Sequence, residues 1–316
     1  MFKASQKITP ASYQPRSDAA ASALDGKMKQ DIISALESRG ISTSNGKPGN
    51  SAFLAYLLKL EPVSGGKHWR EKKSLDNLGA GNCMALPQSD MPALHGLVSG
   101  LKDKSGMKKM PEICIHESTA PHAVSYMGPF GKTSIISVGT GMLMAYSNGK
   151  LSLGEVEAVM AHEISHISKY HTLKGYACHA ALTFGPWIAA IGIAALAHVS
   201  FYLGAASLGI GAFVLAFKEQ LFNKVRHSFE FSADKSAACL AGARNLIGYF
   251  NKLPKGPENF SVDKDGILCF SPKRGRLGEF LIQLEENHPP LYKRIARLEK
   301  IAQQQDSRPA GLIGKQ

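Results

Sequence analysis

Apolar residues recur at helical spacing between positions 153 and 167, where Val156, Val159, Met160, Ile164 and Ile167 fall on one stripe. Ser152 followed by Glu155 carries the start signal of a capping box, so the pattern predicts a helix beginning there. Residues 132–138, set after the turn Pro129-Phe130-Gly131, read as a strand, and we place it at the edge of a small sheet. Residues 226–234 form a helix-compatible run in which Glu230 and Asp234 stand one turn apart.

Between these segments the pattern changes character. From position 175 to 217 there is no Asp, Glu, Lys or Arg, and His179 and His198 are the titratable imidazoles. Near His198-Val199-Ser200 the stretch breaks into two legs, 181–197 and 201–217. At about 1.5 Å per residue each leg spans roughly 25 Å, against a hydrocarbon core of about 30 Å. The pattern predicts an apolar helical hairpin over 178–217. It is read as a short transmembrane pair, with two buried core helices or a hairpin lying in the membrane interface as alternatives.

The remaining segments divide the chain. Residues 1–50 form an extension, rich in Ala and Ser over its first 26 residues, expected to be disordered or partly helical and without an apolar run suited to an export signal. Short helices are expected at 31–37 and 51–60, with a linker at 42–50 marked by Gly46, Pro48 and Gly49. A helical or linker region fills 51–90, one domain fills 91–302, and 303–316 is a flexible tail. The fold class is α+β and mostly helical, with a small sheet beside the helix of residues 153–168.

That helix carries the chemistry. It contains His162-Glu163-Ile164-Ser165-His166, and residues i and i+4 of a helix share a face. His162 and His166 can therefore hold one Zn²⁺ while Glu163 reaches a metal-bound water as general base. Two histidines without a metal beside a buried aliphatic stripe would be costly to desolvate. Catalytic zinc keeps three protein ligands and one open position, and Glu230 is the best candidate for the third. Asp234 is then placed to accept the free N–H of a ligand imidazole, His162 first. On spacing alone, a carboxylate pair on a solvated helix face remains the alternative.

At this point the chain resembles a family, the HtpX-like zinc metallopeptidases, which include the type I CAAX prenyl endopeptidase. Residues 91–107 and Met110-Pro111-Glu112-Ile113-Cys114-Ile115 are similar to the helix and first strand that open its catalytic domain. Residues 135–143 followed by 153–163 resemble its edge strand and active-site helix. Glu230-Phe231-Ser232-Ala233-Asp234 matches its ExxAD block, and His288-Pro289-Pro290-Leu291 with Arg294-Ile295 its HPPLxxRI block. The resemblance covers residues 91–301.

It implies a gluzincin that hydrolyses peptide bonds with one Zn²⁺ per chain, held by His162, His166 and Glu230. Glu163 would be the base, and His288 and Arg294 would sit near the scissile carbonyl as donors to the oxyanion. A role in protein quality control is among those it implies. An extended substrate would pair with the strand of residues 132–138 through Ser134, Ile135, Ile136 and Ser137 by β-augmentation. One stretch departs from the family: Pro121-His122-Ala123-Val124-Ser125 stands where an Asn-Ala-Phe-like sequence is usual.

Charge and cysteines then set the surroundings. The formal net charge is +12, but no nucleic-acid module accompanies it, and anionic lipid is the simpler partner for a chain with an apolar hairpin. Lys169 and Lys174 precede the hairpin, Lys218, Lys224 and Arg226 follow it, and its tip carries neither Lys nor Arg. By the positive-inside rule both ends and the site face the cytoplasm, and a bacterial inner membrane is the expected location. A soluble cytoplasmic protein is the alternative. Five scattered cysteines without a CxxC pair agree with a reducing compartment. The expected partners are protein or peptide substrates and membrane lipid; the oligomeric state is not set by the sequence. A catalytically idle, chaperone-like scaffold of the same fold is the second functional reading, and retention of His162, Glu163, His166 and Glu230 argues against it.

Overall fold

The computed structural model describes residues 15–41, 52, 55–56, 59, 83–118, 120–128, 131, 133–196, 201–253, 260–262, 268–270 and 288–307. In chain order the elements are α1 (Asp18–Ser38), β1 (Met84–Ala85), α2 (Pro92–Lys104), β2 (Glu112–His116), β3 (Ala123–Met127), β4 (Ser134–Gly139), α3 (Thr140–Ser147) and α4 (Leu153–Ser168). They continue with α5 (His171–Leu196), α6 (Phe201–Ala241), α7 (Ala243–Lys252), β5 (Phe260–Val262), β6 (Leu268–Phe270) and α8 (Leu291–Asp306). The chain is mostly helical with a small mixed sheet. It divides into two units. The first holds Met1–Tyr170, Ser232–Leu253 and Arg294–Gln316, and the second His171–Phe231 and Pro254–Lys293.

In the first unit a four-stranded sheet runs in the order β1-β2-β4-β3, with β2 and β4 parallel and both outer pairs antiparallel. This corrects the edge assignment for residues 132–138. Strand β4 is interior, with β2 on one side through Glu112↔Ile135 to His116↔Gly139 and β3 on the other through Ala123↔Val138 to Met127↔Ser134. Its sequence Ile135-Ile136-Ser137-Val138 is buried at every position, as a strand covered on both faces requires. Among the described residues the edge strands are β1, only two residues long, and β3.

Helix α4 packs on β3, β4, α2 and α7. The capping box is made as its sequence predicts: Glu155 N–H donates to Ser152 Oγ and Ser152 N–H to Glu155 Oε2. The same Glu155 carboxylate takes Lys252 Nζ at 2.7 Å. Helices α4 and α7 approach where only glycine fits. A Cβ on Gly154 would lie 2.8 Å from Asn245 Oδ1, and one on Gly248 2.8 Å from Glu155 Oε1.

The N-terminal extension contributes one continuous helix, α1, longer than the short segment expected at 31–37. Met28, Ile32, Ala35 and Leu36 form its buried stripe, and polar anchors add to it. Asp31 Oδ2 accepts Ala93 N–H at 2.7 Å, at the start of α2, where Met91 offers no side-chain cap. Tyr146 O–H donates to Asp25 Oδ1 at 2.8 Å, and Arg16 pairs with Glu157 of α4 at 2.7 Å. The linker at 42–50 lies outside the described residues, as does most of 51–60.

In the second unit α5 and α6 run antiparallel. His171 stacks on Phe229 with ring centroids 4.8 Å apart, His179 meets Phe222 at 5.2 Å, and Gly211 faces Pro186. His171 is buried. The predicted break at 198–200 lies outside the described residues. Among the described residues no helix is long and apolar enough to cross a membrane, so the expected transmembrane pair is not found there. Helix α5 is 26 residues long, opens on the polar turn His171-Thr172-Leu173-Lys174 and contains Pro186. Helix α6 runs on through the ExxAD block without interruption, which the sequence pattern did not predict.

Asp31→Ala should lower stability by about 1 kcal/mol in urea denaturation, the usual worth of a helix cap. An unchanged midpoint would show that α1 contributes no cap to α2.

Candidate active site

Helix α4 presents His162, Glu163 and His166 from a buried segment; His162 and Glu163 are each 8% exposed. The i, i+4 spacing brings the two Nε2 atoms within 3.1 Å, with the rings edge to face. His162 Nδ1 faces Asp234 Oδ1 at 3.0 Å. With its proton on Nδ1, the imidazole turns an unprotonated Nε2 toward His166.

Asp234 is in turn held by Arg294. Nε donates to Oδ2 at 2.8 Å and Nη2 to Oδ1 at 2.6 Å, a bidentate fork between buried groups. Burial pushes the Asp234 carboxyl up, but the bonds from Arg294 and His162 outweigh it and hold the group below its ordinary value. The Arg294 guanidinium also lies 4.4 Å above the Phe250 ring of α7. The sequence placed Arg294 beside a scissile carbonyl; the structure shows its Nε and Nη2 on the Asp234 carboxylate.

Lys169, just past α4, donates to Ser232 O at 2.8 Å and Oγ at 2.9 Å, which ties the end of that helix to α6 beside Asp234. Glu230 stands one turn before Asp234 on the same uninterrupted helix. Within the second unit its Oε1 lies 3.4 Å from Nδ1 of His288, whose side chain is 66% exposed. The structure therefore gathers His162, Glu163, His166, Asp234 and Arg294 in the first unit, and Glu230 with His288 in the second. Ser134, Ile135, Ile136 and Ser137 lie on the interior strand β4, away from a free edge.

Tyr249 of α7 went unremarked in the sequence. It is buried, and its O–H donates to Pro121 O at 2.8 Å, just ahead of β3. Burial and the charge of Glu163 push its phenol up, while Arg294 pulls the other way. The buried face Leu246, Tyr249 and Phe250 is legible from helical spacing, but nothing in that spacing marks a phenol within the field of Glu163.

The donor set suits a borderline divalent metal: two imidazoles converge through Nε2, and the outer nitrogen of one faces a carboxylate.

A family model described as peptidase family M48 matches residues 88–302. Protease HtpX of Shewanella sp. (strain W3-18-1) is 29% identical to this chain over 212 residues, covering 60% of this chain and 68% of that protein. Protease HtpX of Shewanella frigidimarina (strain NCIMB 400) is 28% identical over 217 residues, covering 62% and 69% respectively. Among solved structures, Ste24p of S. mikatae aligns with a TM-score of 0.41 and 16% identity, over 89% of this chain and 63% of that chain. The matched segment takes in α4, the α6 block with Glu230 and Asp234, and most of α8; with well over half of its length inside the model, the chain belongs to peptidase family M48.

Proposed function

We propose that the protein is a zinc-dependent endopeptidase that cleaves extended segments of protein substrates. The observation that carries this reading is the Arg294–Asp234–His162 chain, which holds one imidazole of the HExxH pair in the tautomer a metal needs. His162, His166 and Glu230 would hold one Zn²⁺ per chain; each offers a ligand atom. Glu230 is favoured as the third ligand by its register, one turn from the carboxylate that faces His162. When bound, the metal would supply Lewis acidity and a water acidic enough to attack at neutral pH.

The remaining work falls to the chain's own groups. Glu163 would take the proton of the attacking water on its carboxylate and pass it to the leaving amine. Asp234 keeps the proton of His162 on Nδ1, and Arg294 keeps Asp234 ionised and in place; both are positioning residues. His288 would donate to the oxyanion that develops on the scissile carbonyl. Strand β3 would accept the substrate as an added strand, since among the described residues it has one strand neighbour, β4, and α4 packs against it.

Association with a membrane surface is part of the same proposal. Tyr176, Phe184, Trp187 and Ile188 of α5 and Phe217 and Leu221 of α6 are exposed, with Trp187 at 61%. Lys174, Lys218, Lys224 and Arg226 lie close by in sequence. Aromatic residues bordered by cations suit the headgroup region of an anionic bilayer, reached by lying on it. The proposed setting is a bacterial inner membrane with the site toward the cytoplasm, the side that the cations at both hairpin ends favour, and the proposed role there is protein quality control.

Glu163→Gln should cut cleavage of an unfolded test protein by at least about 100-fold while one zinc per chain is retained. Undiminished turnover would remove Glu163 from the mechanism, and zinc without cleavage by the wild type would favour the scaffold reading. Glu230→Ala, and separately Asp234→Asn, should weaken zinc binding, the latter by about 10–100-fold in a chelator competition. Unchanged affinity in the Glu230 variant would place the third ligand elsewhere. Trp187 emission should shift to the blue on mixing with anionic vesicles, and the shift should shrink with salt. No shift at low ionic strength would sink the membrane claim.

A further inference from the structure

A second imidazole pair, His116 at the end of β2 and His122 just ahead of β3, lies at residues the proposed catalysis does not use. His116 Nε2 and His122 Nε2 are 3.2 Å apart, with ring centroids at 5.1 Å. Each outer nitrogen meets a serine: His116 Nδ1 lies 2.8 Å from Ser137 Oγ, and His122 Nδ1 lies 3.2 Å from Ser118 Oγ. Ser137 Oγ is also 3.1 Å from Cys83 Sγ. His116 and Ser137 are fully buried, while His122 is half-buried and leaves one side of the pair open to solvent.

One proton arrangement satisfies every contact: Ser118 O–H donates to Ala120 O at 3.1 Å, and the same oxygen accepts from His122 Nδ1 at 3.2 Å. His122 thus carries its proton on Nδ1 and has a bare lone pair on Nε2. His116 Nε2–H fills the gap between the rings, its Nδ1 accepts from Ser137, and Ser137 accepts from the Cys83 thiol. Every bond then points one way, from Cys83 to the Ala120 carbonyl. A chain that ends on a carbonyl delivers its proton to no base. Burial and the neighbouring His122 ring also push His116 down to about 4, so it is a poor partner for a nucleophilic thiol.

We propose that His116 and His122 form a second transition-metal site, of lower affinity than the catalytic one, for Zn²⁺. With bonds of about 2.0 Å, two nitrogens at this separation subtend roughly 105° at the ion, close to the tetrahedral angle. The proton of His116 moves from Nε2 to Nδ1, and the Ser137 hydroxyl turns to the Cys83 sulfur, so no proton is lost overall. Both rings then donate outward to serine hydroxyls, the arrangement that orients metal-bound imidazoles. Water completes the shell on the open side at His122.

Equilibrium dialysis against Zn²⁺, with metal counted by atomic absorption, tests this. Wild type should take up two ions, one more weakly. His122→Asn, which keeps a polar group near the position of Nδ1, should lose the weaker ion, and His166→Ala should lose the tighter one and retain the weaker. Ser118→Ala should weaken the second site by about tenfold and decides the matter if His122→Asn does not fold. Equal zinc content in wild type and His122→Asn, or unchanged affinity in Ser118→Ala, would overturn the proposal. Loss of an ion in His122→Asn but none in His166→Ala would leave this site standing and count against the catalytic one.

Discussion

Arg294, Asp234 and His162 come from three helices, α8, α6 and α4, and the links between them orient the imidazole around which the centre is arranged. A carboxylate buried this deeply is tolerable only with its charge matched and its oxygens bonded. The bidentate guanidinium does both. Removing either partner would leave an isolated buried charge, at a cost of about 3–5 kcal/mol, so the same contact supports the fold and fixes a tautomer. Arg294 stays charged across the working range of any enzyme, which Lys or His in its place would not guarantee.

Much of this centre was legible because helices have a period. The capping pair Ser152 and Glu155, the stripe from Val156 to Ile167 and the i, i+4 pairs His162/His166 and Glu230/Asp234 all depend on spacing within one element. The pairing of Asp234 with His162 could be anticipated on chemical grounds, since a ligand imidazole wants its outer N–H bonded. The partner of Arg294 could not. Which carboxylate a distant guanidinium reaches depends on how α8 meets α6, and no local pattern carries that information.

The sheet shows the complementary limit. Ile135-Ile136-Ser137-Val138 reads equally as an edge strand with one wet face or as an interior strand, because alternation reports faces and says nothing of neighbours. Burial on both faces and pairing on both sides settle the matter for β4. Helix α1 was obscured differently. Its buried side chains are spread among Ala, Ser and charged residues, and much of its attachment is polar, through Asp25 and Asp31 and, just ahead of the helix, Arg16. A search for apolar stripes passes over such anchors.

Placing the free edge at β3 has a consequence for selectivity. Along an extended peptide successive side chains point to opposite faces, so a substrate paired with β3 would show alternate residues to the enzyme and to water. Recognition would then have a two-residue rhythm: positions an even number apart would be constrained together, and those between them would vary freely. Backbone pairing would supply attachment common to all sequences, and one face of the added strand would supply the choice among them.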